Sequence, residues 1–182
     1  DDSFIIDYNA LKKRFGEDGS VLVIGVENPN MFQLKDFNEW YDLTSDMTKV
    51  EGVEGVTSIT KAATIQKNDS LHQFEFNPIV ATKPTSQATV DSLKNKILSL
   101  KFYDGLLFNS KTDVYILAIT LKKSVLNDKI RMTITDNIVN RAEQYTAQNG
   151  HKLHYSGLPY IRTVIARTIQ HELFLFVLLS IL

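Results

Sequence analysis

The sequence predicts an α+β fold of the split β-α-β kind: an antiparallel sheet with helices stacked on one face, and a C-terminal helix that enters a membrane. Three observations carry this expectation. Ser20–Glu27 (SVLVIGVE) is apolar and largely β-branched, the pattern of a central strand covered on at least one face. Met31–Val50 and Ser124–Asn149 repeat apolar residues at helical period, and each is bracketed by strand-like segments, giving two β-α-β units. Leu173–Leu182 (LFLFVLLSIL) is apolar on every side, whereas an amphipathic helix of a soluble domain keeps a polar face.

Composition sets the outer bounds. A chain of 182 residues is long enough for one domain with a sizeable core. Its 43% hydrophobic and 23% charged residues exclude a disordered or collagen-like chain. The net charge of −1, without a basic tract, argues against nucleic acid as a partner. The absence of cysteine excludes disulfides, thiol catalysis and cysteine-based zinc sites. The opening stretch DDSFIIDYNALKKRFG lacks the positive segment and apolar core of a signal peptide.

In chain order, Asp7–Phe15 reads as a short helix with Tyr8, Leu11 and Phe15 at helical spacing and Gly16 past its end. Lys12, Lys13 and Arg14 sit near its C-terminus, where cations suit the helix dipole. After the strand Ser20–Glu27, Asn28-Pro29-Asn30 forms a turn with Asn30 as N-cap of the next helix. In that helix Phe37, Trp40, Tyr41, Met47 and Val50 make the buried stripe. Gly52 and Gly55 punctuate the exit, and Val53–Thr60 is the second strand. Residues 61–84 show no clear period: Asn68-Asp69 and Asn77-Pro78 are turn signals, and Leu71, Phe74 and Phe76 suggest a short extended or irregular piece. Asn68-Asp69-Ser70 matches a glycosylation sequon, a pattern common by chance. Ser86–Leu100 is an additional helix with Val90, Leu93, Ile97 and Leu100 on one face. Gly105–Asn109 and Asp113–Leu121 read as a hairpin. The helix Ser124–Asn149 is capped by Ser124 and stopped by Gly150, with Leu126, Ile130, Ile134, Ile138, Ala142 and Tyr145 facing inward. Lys152–Ser156 is the last strand.

Gly157 and Pro159 separate that strand from the final helix. At about 1.5 Å per residue, Leu173–Leu182 reaches about 15 Å, roughly half the hydrocarbon core of a bilayer. The run is either a core helix buried all round or the first half of a membrane span, and its lack of a cap or polar tail favours the span. Tyr155, Tyr160, Arg162 and Arg167 flank this stretch as interfacial tyrosines and snorkelling arginines do, the rival being a core tyrosine and a surface arginine on a soluble helix.

Signals for chemistry are sparse. The histidines are His72, His151, His154 and His171. His151 and His154, three apart on a strand, point to opposite faces and do not chelate one ion together. His171-Glu172, just before the apolar run, marks a water–membrane border better than a proton relay. No G-x-S-x-G elbow, P-loop or dinucleotide fingerprint occurs. Asp42, Asp46, Glu51, Glu54, Asp104, Asp128 and Asp136 read as solvated faces or caps. No catalytic, cofactor-binding or metal-binding residue is assigned, no cofactor is expected, and no substrate-binding residue is singled out.

Several of these segments carry a resemblance. Phe15-Gly16, the strand SVLVIGVE, the helix with Trp40, the passage Val50-Glu51-Gly52-Val53-Glu54-Gly55-Val56-Thr57-Ser58-Ile59, and the passage from His154 to Arg162 together resemble the large extracytoplasmic loop between the first two spans of RND-superfamily exporters, of the MMPL-like branch. The resemblance rests on patterns of apolar residues and glycines and runs from about Asp7 to Leu182. It implies a porter domain of ferredoxin-like, split β-α-β architecture with an extra helix and hairpin, on the periplasmic side of a bacterial inner membrane. On this view residues 1–17 are a helical leader after a membrane span, 18–158 the porter domain, and 159–182 a helix leading into the next span. The implied function is non-enzymatic: handling of a hydrophobic or amphiphilic substrate, such as a lipid or drug, for a proton-driven pump. The implied partners are the protein's own membrane domain, further copies of the chain or a periplasmic accessory protein. The proton-relay residues of that family lie on later spans, so none is carried over here. Two other readings are an extracytoplasmic module that binds a protein of a translocation or sensing machinery, and a soluble enzyme with a buried C-terminal helix and a convergent polar pocket.

Overall fold

A computed structural model describes residues 18–68, 73–126 and 129–181. The expected helix Asp7–Phe15 lies outside the described residues. Strand β1 (Val21–Glu27) is the middle of an antiparallel sheet that also contains β2 (Val53–Thr57), β5 (Phe108–Asn109), β6 (Val114–Leu121) and β7 (Leu153–Ser156). The order is β2-β6-β1-β7, with β5 paired to β6. Helices α1 (Leu34–Thr48) and α3 (Lys129–Asn149) connect β1 to β2 and β6 to β7, so the two β-α-β units interleave their strands. Helix α2 (Gln87–Ser99) lies between the units in sequence, and α4 (Leu158–Ile181) ends the described chain.

Alternation along the central strands explains the two layers. Leu22, Ile24 and Val26 of β1 and Tyr115, Leu117, Ile119 and Leu121 of β6 are buried on one face, where Phe37, Trp40, Leu43 and Met47 of α1 and Ile134, Ile138, Ala142 and Tyr145 of α3 cover them. Val90, Leu93 and Ile97 of α2 join the same core. Tyr41, expected in the stripe of α1, is only partly buried, and Thr44 is buried in addition. The Thr44 hydroxyl donates to the Trp40 carbonyl at 2.8 Å and lies 3.1 Å from Ser58 Oγ, which in turn lies 2.8 Å from Thr60 Oγ1. This hydroxyl chain lets three polar side chains sit in the core without loss, because each finds a partner.

Several expected boundaries shift, each for a physical reason. Asn30 does not cap α1. The Asn28 side chain instead accepts from the Asn30 amide at 2.9 Å, holding a turn, and the helix starts after Gln33. The free amide of Leu34 is satisfied from a distance: Gln87 Oε1 accepts from it at 2.7 Å, while Gln87 Nε2 donates to the Phe32 carbonyl at 2.9 Å. Strand β2 stops at Thr57 because Ser58 caps a short 3-10 turn over Ile59–Lys61 by accepting from the Thr60 amide. Ser86 and Leu100, read as the ends of α2, fall at its caps instead, and the Ser86 hydroxyl accepts from the Thr89 amide. Ser124 does not cap α3; it lies in a separate 3-10 turn, Lys123–Val125, and the helix begins at Lys129. Ile130 is 54% exposed and so is not on the inner face, although Leu126 is buried. Gly150 ends α3 as expected: its φ of +73° suits glycine, and its amide donates to the Thr146 carbonyl at 2.8 Å.

Residues 61–84, expected to lack regular structure, contain a second sheet. β3 (Ala63–Asn68) pairs antiparallel with β4 (Gln73–Pro78), in register from Ala63↔Pro78 to Asn68↔Gln73. Alternation is weak here because a two-stranded ribbon need not bury one face against a core. Asn77-Pro78 ends a strand rather than making a turn. The hairpin is tied to the domain by Tyr103, whose hydroxyl donates to the Ala63 carbonyl at 2.8 Å and accepts from the Ala63 amide at 3.3 Å.

Buried phenols give the fold an alkaline limit. Burial, then the Asp113 carboxylate, pushes the Tyr115 hydroxyl up to about 12; burial, then Glu143 and Tyr160, does the same for Tyr155. The unfolded chain releases these protons near the ordinary value of 10.0, before the folded chain does. Stability from these groups is therefore complete below about pH 10 and is lost between about pH 10 and 12. Urea midpoints measured across this range are expected to fall steeply above pH 10, and Tyr115→Phe is expected to make the fall shallower. Parallel curves for the two proteins would show that Tyr115 does not contribute.

Candidate functional site at the junction of sheet and apolar helix

The most constrained place in the structure is where β7 becomes α4. Gly157 has φ +98°, a conformation L side chains rarely adopt. A β-carbon there would overlap the Val21 carbonyl oxygen and stand 3.1 Å from Leu22 Cα. The last strand can therefore turn tightly over β1 only with glycine at this position. The Gly157 carbonyl accepts from the Ile161 amide at 3.0 Å, so the helix begins at once, without a linker. Pro159 suits the first turn, where its missing N–H leaves nothing unpaired.

The first turns of α4 are fastened to the domain. Pro159 and Thr163 are buried against it, and the Thr163 hydroxyl is satisfied within the helix by the Pro159 carbonyl at 2.8 Å. Tyr155 and Tyr160 stack with ring centroids 5.3 Å apart. Gly19, in the 3-10 turn Asp18–Ser20 ahead of β1, faces Leu158 and Arg162, so the chain arrives beside the place where it leaves. Arg167 forms an ion pair with Asp136 of α3. Arg167, half exposed, thus reaches back to the folded domain beside α3.

Beyond Arg167 the helix leaves the domain. Ile169 and all the large apolar residues from Leu173 to Ile181 are exposed, with Leu179 at 71% and Ile181 at 79%. The alternative of a core helix buried all round is thereby set aside. Leu158–Ile181 is long and apolar enough to cross a membrane, by length and composition. His171 and Glu172 lie exposed at the start of its apolar part.

The structure places the remaining singled-out residues that it describes apart from one another. His151 precedes β7 rather than lying on it; its Nε2 is 3.6 Å from Asp36 Oδ1 and 3.2 Å from Asn28 Nδ2, and its ring stacks on Tyr145. His154 is exposed on β7, paired in register with Gly25 on the face away from the helices. His72 and Asp128 lie outside the described residues. Asp42 pairs with Lys83 at 2.6 Å and Asp46 with Lys49 at 2.7 Å, and Asp104 accepts from the Ser110 hydroxyl at 3.1 Å. Among the described residues no group of three His, Asp or Glu side chains is placed to hold a metal ion.

Sequence reasoning missed the uncovered face of the sheet. There Val23, Gly25, Val114 and Ile116 line a shallow groove of about 360 Å³, bordered by His154, Tyr155 and Ser156. The signal was present in β1, which is apolar on both of its faces. The chain matches no protein-family model, and no curated protein matches it.

Replacing Gly157 by Ala forces a left-handed residue with a side chain against the β1 backbone. A loss of about 1–3 kcal/mol is expected from backbone strain alone, before the overlap is counted. Chemical denaturation of Gly157→Ala in detergent checks this; a stability within error of the parent would mean that the close approach is not required.

Proposed function

We propose that this chain is the extracytoplasmic porter domain of a proton-driven exporter of the RND superfamily, MMPL-like branch, with the folded domain on the periplasmic side of a bacterial inner membrane. The observation that carries the reading is the direct passage from β7 through Gly157 into α4, an apolar helix whose first turns are clamped to the domain by Pro159, Thr163 and the Arg167–Asp136 pair. A helix held this way moves with the sheet as one body, which is what a pump needs if motion in the membrane is to reshape a site outside it.

Two further features support it. The strand order β2-β6-β1-β7, with helices α1 and α3 on one face, supports the ferredoxin-like, split β-α-β part of this reading. The groove of Val23, Gly25, Val114 and Ile116 offers an apolar surface to a lipid or other amphiphile. On this reading the domain performs no covalent chemistry, and its contribution is binding and mechanical coupling. A second reading, a module that binds a partner protein, draws on the β3–β4 hairpin, where Phe76 is 70% exposed.

Two experiments test the proposal. The chain has no cysteine, so Lys111→Cys, on the exposed β5–β6 turn, places a single label site in it. A membrane-impermeant maleimide is expected to label it in intact spheroplasts; labelling only after lysis overturns the periplasmic placement. In proteoliposomes carrying the whole protein, inserting a short Gly-Ser linker after Ser156 is expected to abolish translocation of a fluorescent phospholipid while leaving the domain folded. Undiminished translocation would discard the coupling role.

A further inference from the structure

Asn28 and His151 meet where the turn after β1 touches the segment that leads into β7. Asn28 has no exposed surface, and its other polar groups are committed. Its amide donates to the Asp113 carbonyl at 2.9 Å, and its carbonyl accepts from the Met31 amide at 3.1 Å. Its side-chain Oδ1 accepts from the Asn30 amide at 2.9 Å. This last bond fixes which way the side-chain amide points. Oδ1 faces Asn30, so Nδ2 is the atom that stands 3.2 Å from His151 Nε2. Nδ2 can only donate. His151 Nε2 must therefore accept, which places the proton of the neutral imidazole on Nδ1.

A protonated imidazole has no acceptor nitrogen. With a proton on Nε2, two donors would face each other across 3.2 Å. Asn28 cannot yield. Turning its amide round would bring Nδ2 against the Asn30 N–H and leave that donor without an acceptor, at a residue with no exposed surface.

The ring has another partner in reach. Helix α1 presents the Asp36 carboxylate, with Oδ1 3.6 Å from Nε2, and Glu39 one turn further along. Helix α3 presents Tyr145, whose ring stacks on the imidazole with centroids 6.4 Å apart. Burial, then Glu39 and Asp36, pushes the Tyr145 hydroxyl up, so this neighbour stays neutral and the charge that meets Nε2 is that of Asp36. At 3.6 Å the contact is too long for a hydrogen bond, and it closes if the ring turns toward the carboxylate. The His151 and Asp36 side chains keep 24% and 17% of their surface exposed, enough for a proton to arrive from solvent and little enough to limit screening.

We propose that His151 is a proton-operated latch. Neutral, it holds the turn after β1 by accepting from Asn28; protonated, it releases Asn28 and pairs with Asp36 on α1. The segment entering β7 then exchanges an anchor on the β1 turn for one on a helix. β7 runs on into Gly157 and α4, so the exchange is made at the root of the strand that carries the apolar helix. The latch does not rest on the exporter reading: a failed transport assay leaves it untouched, and its own failure says nothing about transport.

Nitrogen-15 labelling of histidine in the detergent-solubilised chain gives four ring systems, and His151→Gln identifies the one at position 151 by its loss. The long-range proton–nitrogen spectrum is expected to show neutral His151 with its proton on Nδ1. Between about pH 8 and about pH 5, the interval in which histidines gain a proton, the Asn28 side-chain amide is expected to shift in step with the His151 ring. In His151→Gln, whose side-chain oxygen can take the Asn28 bond and does not titrate, that amide is expected to stay in place. Asp36→Asn leaves the neutral pairing intact and removes the partner of the charged ring. In urea denaturation it is expected to lower the folding constant about tenfold more at about pH 5 than at about pH 8. Loss of a helix-end charge alone would cost the same at both. A proton on Nε2 of the neutral ring, an Asn28 amide that ignores the titration of His151, or an Asp36→Asn cost equal at both pH values overturns the latch. Should His151→Gln not fold, the tautomer of the parent, assigned through its backbone, and the Asp36→Asn comparison decide.

Discussion

The contact of the Gly157 backbone with the Val21–Leu22 backbone is the constraint on which the rest of the arrangement depends. β1 is the only strand hydrogen-bonded to both β6 and β7, so it joins the two β-α-β units into one sheet. Where β7 ends, the chain crosses back over the start of β1 at a distance no side chain permits. That approach sets the direction in which α4 departs. The Tyr155–Tyr160 stack, the burial of Pro159 and Thr163, and the Arg167–Asp136 pair then keep the helix beside the domain for its first turns.

From this follows a division of the surface. The helix-covered face of the sheet is sealed by a continuous apolar core from Phe37 and Trp40 across Ile24 and Leu117 to Ile138. The opposite face is not sealed by any described element, and Val23, Gly25, Val114 and Ile116 form an apolar strip on it, edged by Glu27, His154 and Ser156. A soluble domain that served only its own stability would place polar residues there, since antiparallel sheets usually alternate inward apolar with outward polar positions. Apolar residues on both faces of β1, together with an apolar helix leaving the domain, are the features on which the proposed role rests.

Polar groups tell a complementary story. Most buried ones are satisfied inside the fold: the Thr44–Ser58–Thr60 chain ties α1 to the end of β2, and Gln87 caps a helix more than fifty residues before it in sequence.

What the amino-acid order determined by itself was the period of each segment. Alternation and β-branching marked β1 and β6, apolar residues every three or four positions marked α1, α2 and α3, and the unbroken run after Glu172 marked a helix without a polar face. These signals are local, so neighbours in sequence suffice to read them. Tertiary structure alone decided the rest. The cap of α1 comes from Gln87 and not Asn30, because the orphan amide of Leu34 is met by a side chain from another helix. The β3–β4 ribbon left little trace in residues 61–84, since neither strand need present one face to a core. Arg167 became a tie to Asp136, and Asn28, Asp36 and His151 became neighbours, because segments distant in sequence pack side by side. Such pairings depend on distances in space that no spacing along the chain encodes.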